Sequence, residues 1–354
     1  MDTKDNDDES QPLLEHDRPR EKENFKNAVL NFVHQNRKML LVLMILVLVS
    51  ISVITPVLVC VLPSAPLVPG HQSSVRVLSL SVWGSPASFG AEDKEERIQA
   101  IGEYIRDHND TLDVVMLQEL WMRPDHATIE SLIQNTGFTI TNVGDLAPSS
   151  ICDGRAAPTF CSGLALVTRL PIKQISFTSF SVHGDLWWND GEYFARRGTG
   201  QVTLVPSDNI SLDVMLTSVA ANNGDDNSYY RQIQAREFGD AVRHSSADYV
   251  IAGGNFEVDP RSSETTYSDV SRELTDSRHQ YLGESWLDSS LATYGNRKNS
   301  YSKSKGALLL DYLLHKTNQN KRMSVSSYRV PILKTKNGKS FSNHEAVEAT
   351  YSLL

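Results

Sequence analysis

Residues 247–260 read ADYVIAGGNFEVDP. Tyr249, Val250, Ile251 and Ala252 form a short apolar run that closes on Gly253-Gly254 and opens into polar residues, the pattern of a buried strand feeding a loop. Such strand-to-loop junctions are where a rigid scaffold holds catalytic side chains. Here the first polar side chain is an amide, Asn255, and the acid, Glu257, follows two positions later. The period-two geometry of a strand predicts that the two share a face, about 6 to 7 Å apart.

Outward from this stretch the chain alternates strand-like and helix-like patterns. VRVLSLSVWG (75–84), LDVVMLQELW (112–121), GLALVTRLPI (163–172), GQVTLVPS (200–207), SLDVMLTSVAA (211–221), ALLLDYLLHK (307–316) and EAVEATYSLL (345–354) read as strands. AEDKEERIQAIGEYIRDH (91–108) carries acids early and Ile98, Ile101 and Ile105 at helical spacing, and DHATIESLIQNTG (125–137) reads as a helix stopped by Gly137. SYYRQIQAREFGDAVRHSS (228–246) is a third helix. Many strands with few long helices predict two packed sheets flanked by helices, an α+β sandwich over 75–354.

The N-terminal part has a different character. Residues 1–38 are charged and poor in apolar residues, predicting a disordered tail, and 63–74 form a Pro-containing linker. Between them, 39–62 (MLLVLMILVLVSISVITPVLVCVL) runs without a charge and is long enough to cross a bilayer as one transmembrane helix. Arg20, Lys22, Lys26, Arg37 and Lys38 precede it, whereas only Arg76 lies within 63–82. The positive-inside rule therefore keeps the N-terminus cytosolic and makes the chain a type II membrane protein, its large domain lumenal or extracellular.

Smaller features agree with that orientation. Asn109-Asp110-Thr111 and Asn209-Ile210-Ser211 are glycosylation triplets. Cys152 and Cys161 are either a disulfide or two free thiols, and Cys60 reads as apolar filling of the membrane helix. ESQPLL (9–14) resembles the acidic dileucine signal that sorts membrane proteins to endosomes and lysosomes, or is an incidental leucine pair. The formal net charge of −9, with no dense basic patch, argues against avid nucleic-acid binding.

Polar clusters fall at the strand ends: Ser81, Gln118-Glu119, Ser218, Asn255-Phe256-Glu257 and Asn343-His344-Glu345. Asp311 sits inside an otherwise apolar strand, where an unpaired carboxylate is costly, so a partner is expected and a histidine is a natural one. Acids and a histidine converging at strand ends suit metal-assisted hydrolysis of a phosphate ester, with Mg²⁺ as the hard cation.

The order and spacing of these blocks, with SYYRQIQAREF, ATYGNRKNSYS and FSNHEAVEA, resemble the endonuclease/exonuclease/phosphatase superfamily, and in detail its neutral sphingomyelinase-like membrane enzymes, across 75–354. The resemblance implies a four-layered α/β/β/α sandwich with a Mg²⁺-dependent phosphodiesterase site at one end. It assigns Glu119 to metal binding, and His344 with its orienting Asp311 to acid–base chemistry.

Five of the eight polar positions depart from the family pattern. Ser81 stands for an asparagine, Ser218 for a histidine, Asn255 for an aspartate, Glu257 for an asparagine and Asn343 for an aspartate. The resemblance places Ser81, Ser218 and Asn343 at the substrate and Asn255 and Glu257 at the chemistry. Asn255 cannot act as a base, which leaves His344 as the substitute.

Two readings follow. One is a membrane-anchored sphingomyelinase-like protein that has lost most or all catalysis and binds a lipid or a protein. The other is an active phosphodiesterase cleaving sphingomyelin or a related phospholipid, with Glu119 and Glu257 holding Mg²⁺. A nuclease is disfavoured by the charge and the anchor. Trp83, Trp121 and Tyr312 are expected in the core beside the site. Trp187 and Trp188 belong to a long loop that either packs or dips into a lipid interface.

Overall fold

The structure is a computed structural model that describes residues 73–85, 91–144, 162–182, 195–221, 225–303, 306–318 and 320–354. The expected tail, transmembrane helix and most of the linker lie outside the described residues, as do Cys60, Cys152, Cys161, Trp187 and Trp188. Among the described residues no helix is long and apolar enough to cross a membrane.

Two six-stranded sheets carry the fold. The first is built from β1 (Ser74–Ser81), β2 (Val114–Gln118), β3 (Thr139–Val143), β4 (Leu164–Thr168), β11 (Met323–Arg329) and β12 (Val347–Leu353), in the order β11-β12-β1-β2-β4-β3. The second contains β5 (Ile172–Ser179), β6 (Gly198–Ser207), β7 (Ile210–Ser218), β8 (Tyr249–Asn255), β9 (Thr275–Asp276) and β10 (Asp311–Thr317), in the order β5-β6-β7-β8-β10-β9. Each sheet is antiparallel apart from one central parallel pair, β1 with β2 and β7 with β8.

The sheets pack face to face through Val75, Val77, Val114 and Tyr351 from the first and Val202, Val214, Ile251 and Leu313 from the second. Helices α1 (Lys94–Asp107) and α2 (Arg123–Ile133) cover the outer face of the first sheet, with Ile98, Ile101, Ile105 and Ile129 against Leu78, Leu80 and Val115. Helix α3 (Asp225–His244) covers the second, with Phe238 and Val242 against Met215, Val250 and Leu314. The expected sandwich is therefore present as helices on both outer faces of two mixed sheets. Short helices α4 (Thr266–Ser271) and α5 (Ser277–Leu282) complete the described elements of the second half with two short 3₁₀ turns.

One boundary differs from the sequence pattern. Helix α2 ends at Ile133, not at Gly137, because Gln134 already leaves the helical region (ψ 140°), and the left-handed Asn135 (φ 63°) and Gly137 (φ 83°) follow it.

Both parallel pairs end at the same pole of the sandwich. Parallel neighbours deliver successive strand ends side by side, so the residues after Ser81, Gln118, Ser218 and Asn255 meet there. Gly254, immediately before Asn255, has φ 140°, and a Cβ there would lie 1.9 Å from the Thr217 carbonyl. Only glycine lets β7 and β8 approach as they do just below the site.

Candidate active site

In the second sheet Ser218, Asn255 and Asp311 stand side by side, since Ser218 pairs with Asn255 across β7 and β8 and Asn255 pairs with Asp311 across β8 and β10. Asp311 accepts from His344 Nδ1 at 2.8 Å, which supplies the partner its burial required. Tyr294 bridges to both Leu308 and His344, so the His344 loop is tied to the segment leading into β10. The Tyr294 ring packs 4.9 Å from the imidazole.

A cavity of about 270 Å³ opens at this pole. Its polar wall is Glu119, Glu257, Asn343 and His344, and its apolar wall includes Trp83, Tyr294, Leu308 and Leu310. Ser81, Ser218, Asn255 and Asp311 are buried behind that wall. Trp83 is thus a half-buried pocket residue and not a core residue, whereas Trp121 and Tyr312 are buried as expected.

Asn255 and Glu257 do not share a strand face. Strand β8 ends at Asn255, Phe256 turns into the core, and Glu257 takes a left-handed backbone with φ 49°. That kink, not strand alternation, returns the carboxylate: Asn255 Nδ2 donates to Glu257 Oε1 at 2.7 Å, and the Glu257 N–H donates to Asn255 Oδ1 at 3.1 Å. Glu257 Oε1 also lies 3.7 Å from His344 Nε2. Trp83 (φ 52°) and Glu119 (φ 60°), at the ends of β1 and β2, are left-handed as well. Three non-glycine pocket residues therefore hold backbone conformations that cost about 1 kcal/mol or more each, and such strain gathers at ligand sites.

The electrostatics of His344 follow from its neighbours. Burial alone would lower its pKa, but the charge and hydrogen bond of Asp311, with Glu257 and Glu119 beyond, lift it to about 9. These carboxylates favour the imidazolium, the form that donates a proton.

Behind the wall the two serines differ in how they are satisfied. Ser218 Oγ accepts from Arg197 at 2.7 Å, and the same guanidinium lies over the Trp121 ring. Ser81 Oγ is fully buried with no hydrogen-bond partner among the described residues, as is Asp311 Oδ1. A buried hydroxyl without a partner is uncommon, and here it lies beside the pocket.

A residue that the sequence pattern did not disclose holds the rim together. Arg97, buried on α1, donates to the carbonyls of Glu92, Val82, Trp83 and Phe341 and lies 4.9 Å from the Trp83 ring centroid. Its only sequence signal was a cation adjoining the isoleucine stripe. On the opposite flank, Asn299 donates from Nδ2 to the Ser342 carbonyl and to Glu345, fixing the stretch that carries Asn343 and His344.

The pocket's fit to magnesium is one of kind more than number. Among the described residues no group of three or more His, Cys, Asp and Glu could hold a metal. Glu119 and Glu257 nevertheless face one cavity beside Asn343, and one or two carboxylates with water and phosphate oxygens are what Mg²⁺ ordinarily takes.

The Endonuclease/Exonuclease/phosphatase family matches residues 78–344, and the chain belongs to that family. Among solved structures it is similar to D. rerio TDP2 complexed with single-strand DNA product, at TM-score 0.61 and 15% identity over 79% of this chain and 99% of that one. It is similar also to beta toxin from Staphylococcus aureus (TM-score 0.59, 17% identity, 78% and 99% covered) and to SmcL (TM-score 0.58, 17% identity, 79% and 99% covered). A beta toxin variant has been solved with bound magnesium ions. At these identities the likeness defines the fold. No curated protein sequence matches the chain.

Proposed function

We propose that the chain is a membrane-anchored, sphingomyelinase-like protein whose phosphodiester site has lost most or all of its catalysis and serves to bind a lipid headgroup. The observation that carries this reading is the mutual lock of Asn255 and Glu257. Where the family pattern calls for a water-activating aspartate stands an amide, with its oxygen and nitrogen both turned to Glu257. His344, whose charged form the Asp311 carboxylate favours, is set to donate a proton more readily than to take one.

Loss of general-base catalysis removes about 10²–10⁴ in rate, and further losses within one catalytic unit leave only the residual contribution of binding. The pocket, with its strained rim and closed aromatic wall, still suits a small polar headgroup.

A second reading, an active Mg²⁺-dependent phosphodiesterase, draws on Glu119 and Glu257 facing the same cavity. In that case both carboxylates would hold the ion, which would neutralise phosphate charge, and His344 would protonate the leaving group. The deciding experiment is sphingomyelin hydrolysis across a Mg²⁺ titration by the full chain, beside the quadruple variant S81N/N255D/E257N/N343D. Turnover gained only by the variant supports the impaired site. Wild-type turnover that disappears in Glu119→Ala would overturn it.

A further inference from the structure

The two loops flanking the pocket, 295–303 and 334–340, contain Arg297, Lys298, Lys303, Lys334, Lys336 and Lys339 and no acid, in a chain of net charge −9. We propose that this rim docks on an anionic phospholipid bilayer, an inference that rests on reading the pocket as a lipid site.

The loops form one braced unit. Lys334 bridges to Ser340, Ser300 and Ser340 exchange hydrogen bonds through their N–H and Oγ groups, and Lys334 Nζ donates to the Lys298 carbonyl. The unit is fixed to the pocket wall, since Ser302 Oγ donates to the Asn343 carbonyl at 2.7 Å and Tyr301 packs 5.4 Å from Trp83.

Not every cation is available outward. Lys334 is half-buried within the braced loops, Lys336 pairs with Glu103 at 2.9 Å and Lys339 with Asp93 at 3.4 Å, both acids flanking or lying on α1. Arg297, Lys298 and Lys303 remain exposed, with no ion pair among the described residues. They sit on a scaffold held at both ends, so their charge is presented in one place beside the pocket mouth.

The shape of the charge selects the partner. A nucleic-acid strand drawn across the mouth would bring phosphates over Glu119 and Glu257. A bilayer offers a plane of anionic headgroups that meets only the rim, and amphipathic rings such as Tyr301 and Trp83 beside cations suit that interface.

The test is flotation of the full chain, held in phosphatidylcholine nanodiscs, with vesicles of phosphatidylcholine alone or with about 30% phosphatidylserine. The wild type is expected to bind the anionic vesicles selectively and to release them at about 0.5 M salt, where screening is short-ranged. The variant R297E/K298E/K303E is expected to lose about 100-fold in affinity or more, from about fivefold per basic residue. Lys173→Glu, which reverses an exposed charge on β5 outside the pocket and its rim, is expected to bind as wild type does; unchanged binding of soluble phosphocholine by the triple variant separates failure of this surface from failure of the lipid-site reading. Equal binding by the triple variant, equal binding to neutral vesicles, or preference for a single-stranded oligonucleotide over the anionic vesicles overturns the proposal.

Discussion

Asn255 and Glu257 hold each other by two hydrogen bonds, amide to carboxylate at 2.7 Å and backbone N–H to amide oxygen at 3.1 Å, in a turn just past the end of β8 where Glu257 is left-handed. A site built to activate water keeps its acid unpaired toward the cavity; here acid and amide satisfy one another. Replacing the amide with a second acid breaks both the lock and its charge balance. Asn255→Asp is expected to lower stability by about 1–3 kcal/mol in chelator, through like-charge repulsion in a partly buried pair. Urea unfolding should show Mg²⁺ restoring much of that loss in the variant and little in the wild type.

The backbone strain at Glu257 is separable from its side chain. Glu257→Ala removes the carboxylate and keeps a Cβ at φ 49°, whereas Glu257→Gly removes both. Glycine usually lowers stability relative to alanine through the entropy of the unfolded chain. Here the order should invert, with the glycine variant more stable by about 1 kcal/mol in denaturant unfolding. An alanine variant as stable as the glycine one would mean that the left-handed turn stores no strain.

Arg97 makes its contribution through carbonyls on both sides of the rim. Truncation to alanine leaves buried acceptors at Val82 and Phe341 without their donor and unseats the cation beneath Trp83. The expected loss is about 3 kcal/mol or more. Arg97→Lys should recover only part of it, since an ammonium lacks the planar fork that reaches several carbonyls at once. Unfolding by urea gives the stabilities, and near-ultraviolet circular dichroism reports whether the Trp83 environment is lost.

How much of this was legible in the sequence depended on burial. Strands β1, β2, β4, β7, β8 and β10 lie inside the sheets and read as apolar runs. The strands that pattern reading missed or clipped are β3, β5, β9 and β11, which are the four sheet edges. Half-exposed edges carry polar residues, as in MSVSSYR of β11, so the apolar signal fades there. That Asp311 needs a partner was legible because an acid buried in an apolar strand must find one, and the family resemblance named His344. The left-handed turns at Trp83, Glu119 and Glu257 were not, because tertiary packing imposes a dihedral that no residue type there announces. Arg97 escaped for a similar reason: only the folded rim reveals that carbonyls surround its guanidinium.

Between the sheets, His315 of β10 contacts Ser277 Oγ through Nδ1 at 3.1 Å, and Ser277 Oγ lies 2.7 Å from the Tyr351 hydroxyl of β12. Burial lowers the His315 pKa from its ordinary 6.5 to about 4. The native state therefore prefers the neutral ring, and its contribution is present above pH 6.5 and disappears as pH falls toward 4. The gap corresponds to about 3 kcal/mol. Desolvation raises the buried Asp276 beside the network, so its own protonation on acidification favours the folded state and opposes part of the His315 loss. His315→Gln, which keeps a polar side chain and cannot titrate, should show a shallower loss of stability between pH 6.5 and 4.5.

Removing the acid behind His344 should uncouple the two halves of its electrostatics. Burial depresses the imidazole pKa, and Asp311 more than offsets that effect. In Asp311→Asn the ring should titrate well below the wild-type value of about 9, at or below the ordinary 6.5. Because the wild-type folded pKa is raised, its stabilisation is fully present below pH 6.5 and is lost as pH rises through about 9. The variant should lose that alkaline slope, and ring-proton resonances followed through a pH titration give the microscopic value. Mg²⁺ supplies a further discrimination. A cation held by Glu119 and Glu257 neutralises two of the charges that raise His344, so the wild-type titration should move down on addition of the ion and stay in place in Glu119→Gln. A His344 titration insensitive to Mg²⁺ in the wild type would mean that the two carboxylates hold no ion.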